Sequence, residues 1–535
     1  MPELRAKRFQ FLQLPRELRD QIYEYYLHDD DGLFYHYAPG GGKLQYCTNE
    51  KQAQLQGLLL TCRTIANEAR LSLLSTNAIT FTPILSDNDG AEFRGLRSRA
   101  GRFEALLNYT RRAKMHMLSL VAPYVTLSTL DQVTERYPSV ARYYRSLIRQ
   151  FQRGHEQGCS AATPLEFHFE TDPIVRYQFS VAFCDAIQYT LDLVSIHPDF
   201  DRLTAMSCTT DLVPEHTPSI FLAGTHEKVL AWRPEWWAIP TDADLALETS
   251  LAESPPLDEW NTPEPPAPIS WYFSATAAAI NCFKHLRKND RRCIKKVFIR
   301  EDRKGVGHPE CHVRGLLCYC AENPALRVEI HVGIWTNLVP SVWLEYKSDG
   351  PRPADKLTSD RFLVSFADWV VELTPLAATS QQSITFILEG NSQETNLVWN
   401  IIKSVAGLQE AMAASDQCRA NRDDSLSGII HPLLEIGVDH DALFPRARLQ
   451  VPSDLPQSFA NEIRRIVDGT SVVHFDGDPG EIWELHELVR TRKEWSILQF
   501  WEEWYSLQRP LPFPPGGIKK YLESYGCTWY SSQEA

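Results

Sequence analysis

The stretch KKVFIRE, residues 295–301, holds a short core of β-branched and aromatic residues, Val297-Phe298-Ile299, between charged ends. That is the make-up of a strand, and the pattern returns in LRVEIHV (326–332) and SITFILE (383–389). Around these strands lie segments with helical spacing: SWYFSATAAAINCFKHL (270–286), PECHVRGLLCYCAEN (309–323), RFLVSFADWVVEL (361–373) and NLVWNIIKSVAGLQEAM (396–412). In the third, Phe362, Phe366, Trp369, Val370 and Leu373 share one face. Helix and strand in alternation predict an α/β layer over 270–415 with parallel pairing. The three units have unequal lengths and no fixed period, short of a leucine-rich horseshoe.

Working outward, residues 416–535 read as helical and rich in Trp. EIWELHELVRTRKEWSILQFWEEWYSL (481–507) reads as one long helix, and LPQSFANEIRRIV (455–467) as another. Arg509 to Pro515 fits the R-x-L-P-x-x-P pattern of SH3 ligands, with a helix stop and turn as the plainer reading. On the other side, 241–269 reads as an acidic, Pro-rich linker or long loop: residues 241–268 hold seven acidic residues, six prolines and no Lys or Arg. Residues 84–240 read as mainly helical, with FEALLNYTRRAKMHMLSLV (103–121), YPSVARYYRSLIRQFQRG (137–154) and a largely buried VRYQFSVAFCDAIQYTLDLVSI (175–196). Arg111-Arg112 and Arg142 to Arg149 read as solvated helix faces.

The chain has 535 residues, 43% hydrophobic and 23% charged, as an ordinary globular protein does. A single core rarely grows past roughly 250 residues, so more than one domain is expected. Net charge is −14 and pI about 5.6, which argues against nucleic acid and anionic membrane as partners. No apolar run approaches the ~20 residues of a membrane span, and MPELRAKRFQFLQLP lacks a signal-peptide core. The twelve cysteines are irregularly spaced, so reduced thiols in a cytoplasmic or nuclear protein are expected.

Near the N-terminus, Leu14-Pro15 marks a helix start, since proline suits the first turn. Leu14, Leu18, Ile22 and Tyr25 or Tyr26 then form one apolar stripe. A Gly-rich loop or hairpin (28–50) follows; its Gly40-Gly41-Gly42-Lys43 lacks P-loop spacing. LLLTCRTIANEARLSLLSTNAITFTP reads as a second amphipathic helix through Leu58, Cys62, Ile65, Ala69 and Leu73, ended by a left-handed Asn77 and followed by a strand at 78–82.

LPRELRDQIYEYYL followed by LLLTCRTIANEA resembles an F-box, and more closely the F-box-like proteins common in filamentous fungi. The positions that carry the resemblance are Leu14, Pro15, Glu17, Leu18, Arg19, Ile22, Tyr23, Leu59, Leu60, Thr61, Cys62, Arg63, Ile65, Glu68 and Ala69. The insertion between the helices is longer than in a compact F-box, and Ile65 stands where many carry an aromatic residue. ISWYFSATAAAI and the 297–329 stretch resemble downstream segments of the same family. The resemblance implies a substrate receptor of an SCF-type ubiquitin ligase, with Leu14, Pro15, Leu18, Ile22, Cys62 and Ile65 facing a Skp-type adaptor and the rest of the chain holding an unknown protein substrate. No cofactor is implied.

The expected fold is thus mixed α+β and α/β and multidomain: F-box-like helices (1–83), a helical middle (84–240), the linker (241–269), the α/β layer (270–415) and a helical C-terminus (416–535). Alternatives stay open. The F-box-like helices are otherwise only the first layer of a scaffold's own core. An enzyme site would sit beyond the strands, at Glu301-Asp302 or Glu389, and a pocket lined by Glu301, Asp302 and His308 would favour it. His308, Cys311, His312, Cys318 and Cys320 could ligate a metal, but buried structural thiols are the plainer reading. No hydrolase, zinc-protease, P-loop or dinucleotide motif is present, so a non-enzyme is expected.

Overall fold

The three strands read from the sequence lie side by side in one parallel layer. The computed structural model describes residues 11–38, 41–86, 98–156, 180–206, 225–251, 271–339, 344–347, 350–353, 362–363, 365–370, 372–373, 383–390, 392–420, 455–456, 458–495 and 497–507. The strands are β1 (Leu33–His36), β2 (Lys43–Tyr46), β3 (Ile79–Phe81), β4 (Ile84–Leu85), β5 (Tyr272–Phe273), β6 (Lys296–Glu301), β7 (Arg327–Gly333), β8 (Leu344–Lys347), β9 (Gly350–Pro353), β10 (Ile384–Glu389) and β11 (Val473–Phe475). Seven of them form one sheet in the order β11-β10-β7-β6-β3-β1-β2. All its neighbours are parallel except the β1–β2 hairpin at the edge. The pairs β4–β5 and β8–β9 are separate antiparallel ribbons.

From β1 to β11 the position in the sheet follows the order along the chain. A doubly wound sheet reverses direction once and opens a ligand crevice at the reversal. This sheet does not reverse, and right-handed crossovers running one way stack their helices on one face. The burial pattern agrees. Val297, Ile299, Val328, Ile330, Val332, Ile384, Phe386, Leu388 and Val473 are buried, whereas Phe298, Glu329, His331, Thr385 and Ile387 between them are half-buried.

The sheet redraws the domain plan. Residues from 1–83, 270–415 and 416–535 share one sheet and one hydrophobic core, which runs from Tyr23 through Phe81, Phe283 and Trp399 to Trp504. The N-terminal helices are therefore not a detached module. Burying Ile79 and Phe81 between β1 and β6 is what ties it in. The helical middle encloses a second core with Met117, Tyr144, Phe183 and Ile187. A small third cluster, with Phe103, Leu245 and Phe273, joins the two.

The N-terminal part and the helical middle are built on α1 (Arg16–Leu27), α2 (Asn49–Leu59), α3 (Arg63–Thr76), α4 (Arg99–Val121), α5 (Leu127–Arg136), α6 (Ala141–Glu156) and α7 (Val181–Val194). Several expectations are corrected. LLLTCRTIANEA is a helix junction, because Leu60 to Cys62 separate α2 from α3. Residues 242–251, read as linker, form a helix that buries Leu245; 252–269 lie outside the described residues. Pro309–Leu316 is a 3₁₀ turn and only Leu317–Glu322 is α-helical. The long C-terminal helix is two, Leu485–Arg492 and Ile497–Leu507, since the chain turns to pack Trp495 edge-on against Phe500. The SH3-like segment at 509–515 is outside the described residues.

Candidate functional site: an exposed apolar face on the N-terminal helices

Helix α1 begins directly after Pro15 and lies against α3. Three features hold it. Tyr23 and Leu27 are each 1% exposed and belong to the main core. Arg19 donates to Glu68 from Nε (2.9 Å) and Nη2 (2.7 Å), and the Tyr23 hydroxyl donates to the same carboxylate at 3.2 Å. The Arg19 guanidinium beside Glu68 holds that carboxyl below its ordinary value. Arg19 Nη1 also donates to the Leu14 carbonyl at 2.6 Å, which fastens the Leu-Pro entry to the helix.

The C-terminal ends of α1 and α3 meet at Asn77. Its Nδ2 donates to the carbonyls of Leu27 (2.8 Å) and Leu73 (3.0 Å), and its Oδ1 accepts from the Asp29 N–H at 2.9 Å. With φ −100° and ψ 144° the residue is extended, which corrects the left-handed cap expected from the sequence. The side chain, not the backbone conformation, is what asparagine supplies here.

This anchoring fixes which side of α1 faces out. At about 100° per residue, Leu18, Ile22 and Tyr25 fall within an arc of roughly 60°, roughly 150° round from Tyr23 and Leu27. They are 45%, 43% and 90% exposed. The stripe read as the helix's apolar face is thus its outward face, and the buried face is the one built on Arg19, Tyr23 and Leu27. Leu14 is half-buried and Pro15 exposed. On the α2–α3 junction Cys62 is exposed at the N-terminal end of α3, and Ile65 is half-buried against the core.

Among the described residues ten large apolar side chains are exposed, and six lie between residues 12 and 60: Leu12, Leu18, Ile22, Tyr25, Tyr26 and Leu60. Single exposed apolar residues are ordinary, but a concentration on one short segment marks an interaction surface. Leu12 did not stand out in the sequence, and Leu60 entered only through the resemblance and not as an exposed residue. Leu60 sits in a helical run, LLL, and only the break at 60–62 turns it outward.

The other candidate positions have structural duties. Glu301 is fully buried and accepts from the N–H groups of Ala275 (3.1 Å) and Thr276 (2.8 Å) and from the Thr276 hydroxyl (2.6 Å), which caps the helix Ala275–His285. Burial pushes its carboxyl up to about 7 against those three donors. Asp302 is exposed, and Glu389 accepts from His331 Nδ1 at 2.7 Å on the sheet's half-open face. His308 pairs with Glu310 at 2.9 Å. Both ring nitrogens of His312 are taken, by the Ser274 hydroxyl (2.6 Å) and the Gly307 carbonyl (2.7 Å). Cys311 and Cys320 are buried, and Cys318 is exposed beside the Gly315 carbonyl. Among the described residues no three such side chains converge with metal-ligand geometry. No described helix is long and apolar enough to cross a membrane.

Comparison of the chain with protein-family models, curated proteins and solved structures gives no match.

Proposed function

We propose that this chain is a non-catalytic substrate receptor of an SCF-type ubiquitin ligase, and that the outward face of α1 with the α2–α3 junction docks a Skp-type adaptor. The observation that carries the reading is the pairing of the F-box-like pattern with exposure: Leu18 and Ile22 belong to that pattern and are 45% and 43% exposed. An apolar pair left in water by an otherwise well-anchored helix is suited to a protein partner. Leu14, Pro15, Cys62 and Ile65 would support the contact from the helix entry and the junction. The partner enzymes supply the chemistry, the remainder of the chain holds a protein substrate, and the setting is the cytoplasm or nucleus.

Co-expression with a Skp-type adaptor tests it. Wild type should capture adaptor, and Leu18→Glu/Ile22→Glu should lose it with an unchanged thermal melt. A second reading has its own observation: β3, which follows α3, is buried inside the main sheet, so the same helices also serve as a layer of the core. Well-folded wild type that captures no adaptor would favour this scaffold reading.

A further inference from the structure

In the helical middle, α4, α7 and residues 233–236 line a half-open cavity of about 100 Å³. Leu107, Ile187 and Trp236 give it apolar walls, and three cations reach it, Arg111, Lys114 and Arg233, against one carboxylate, Asp185. Asp185 and Arg233 are already paired, and Arg111 has contacts of its own. Asp185 meets Arg314 at 3.3 Å, and Arg233 meets Asp192 at 2.8 Å.

Lys114 is different. It is 8% exposed, its ammonium donates to the Trp232 carbonyl at 2.7 Å, and among the described residues no carboxylate stands at ion-pair distance from it. A buried charge with only a neutral acceptor is unfavourable until a counter-charge arrives. Burial accordingly pushes this amine down to about 7. Gln188 supplies a second unmet group. It is 9% exposed and donates through Nε2 to Asp192 at 2.9 Å, but its amide oxygen has no hydrogen-bond partner.

We infer that the cavity binds a small hydroxycarboxylate, with its carboxylate against Lys114, its hydroxyl donating to the Gln188 amide oxygen, and its short carbon chain against Leu107 and Ile187. The volume of about 100 Å³ admits a small acid. The unmet acceptor requires a donor on the ligand, and the three cations disfavour an amino group in that role. The groups facing Lys114 are Arg111 on its own helix, Arg233, and Cys184, Asp185 and Asp192 on or near α7. A bound anion favours the charged amine, so the ligand enters with a proton and its affinity falls as pH rises above about 7.

Isothermal titration of the full chain with L-lactate at neutral pH tests this, beside propionate, which lacks the hydroxyl, and inorganic phosphate. The expected result is saturable lactate binding, with propionate about tenfold weaker for the missing hydrogen bond. Lys114→Met should abolish lactate binding with a melt no lower than wild type. Gln188→Leu should bring lactate down to the propionate level, and it decides alone if Lys114→Met folds poorly. No saturable heat from lactate, equal binding by wild type and Gln188→Leu, or phosphate bound more tightly than lactate would overturn the inference.

Discussion

Replacing Asn77 tests how the candidate face is held in place. The residue is 2% exposed, and its side chain joins the ends of α1 and α3 to the loop that enters β1. In Asn77→Ala the Leu27 carbonyl keeps the Tyr46 hydroxyl at 2.6 Å and the Leu73 carbonyl keeps the residue-77 N–H at 3.3 Å. The Asp29 N–H then loses its acceptor outright. At about 0.5 kcal/mol for each of the two weakened bonds and about 1–2 kcal/mol for the half-buried Asp29 N–H left without an acceptor, the expected loss is about 2–3 kcal/mol. Native-state hydrogen exchange reads this locally: amides of α1, α3 and β1 should exchange about 30- to 150-fold faster. Asn77→Gly separates the two duties open to an asparagine here. A left-handed cap would tolerate glycine, whereas the extended residue loses all three bonds and a further ~0.5–1 kcal/mol of backbone entropy. Asn77→Gly should therefore be worse than Asn77→Ala. Wild-type exchange rates in Asn77→Gly would refute the reasoning.

Other substitutions give sharper or weaker effects for reasons equally visible. Leu18→Gln/Ile22→Gln should leave the unfolding free energy in urea within about 0.5 kcal/mol of wild type, because both side chains are exposed; a large loss would mean the face is core. Trp399 is 1% exposed, stacks on Phe475 at 4.6 Å and donates to the Pro479 carbonyl, so Trp399→Ala should cost about 3–5 kcal/mol in denaturation. His312 is buried with its imidazole pushed down by burial to about 4, below the 6.5 of a free side chain. Its contribution is therefore present above pH 6.5 and lost as pH falls through about 4. His312→Gln should be less acid-sensitive over that window by about 3 kcal/mol, measured as denaturation midpoints against pH.

The strands of the α/β layer were legible because their apolar positions repeat every second residue against one core; β6, β7 and β10 lie where KKVFIRE, LRVEIHV and SITFILE placed them. Their neighbours were not legible. That β3 of the N-terminal region pairs with β6 depends on contacts more than two hundred residues apart, and local periodicity carries no trace of them. The three residues of β11, Val473-His474-Phe475, were too short to stand out from a loop. At the candidate face, Leu14, Leu18 and Ile22 were found by spacing, but spacing could not say which face of α1 turns inward. The inward face is set by Arg19, Tyr23 and Leu27 with Glu68 on another helix. Arg19 anchors the helix only because Glu68, far along the chain, lies opposite it. Glu301 likewise looked like a possible acid and proved to be the cap of a helix that precedes it by more than twenty residues.

The most direct measurement is hydrogen exchange of the full chain with and without a purified Skp-type adaptor. Docking on the proposed face predicts slowed exchange in residues 12–26 and 58–65, absent in Leu18→Glu/Ile22→Glu and with the central sheet unchanged. Slowed exchange confined to other segments, or none at saturating adaptor, would contradict it.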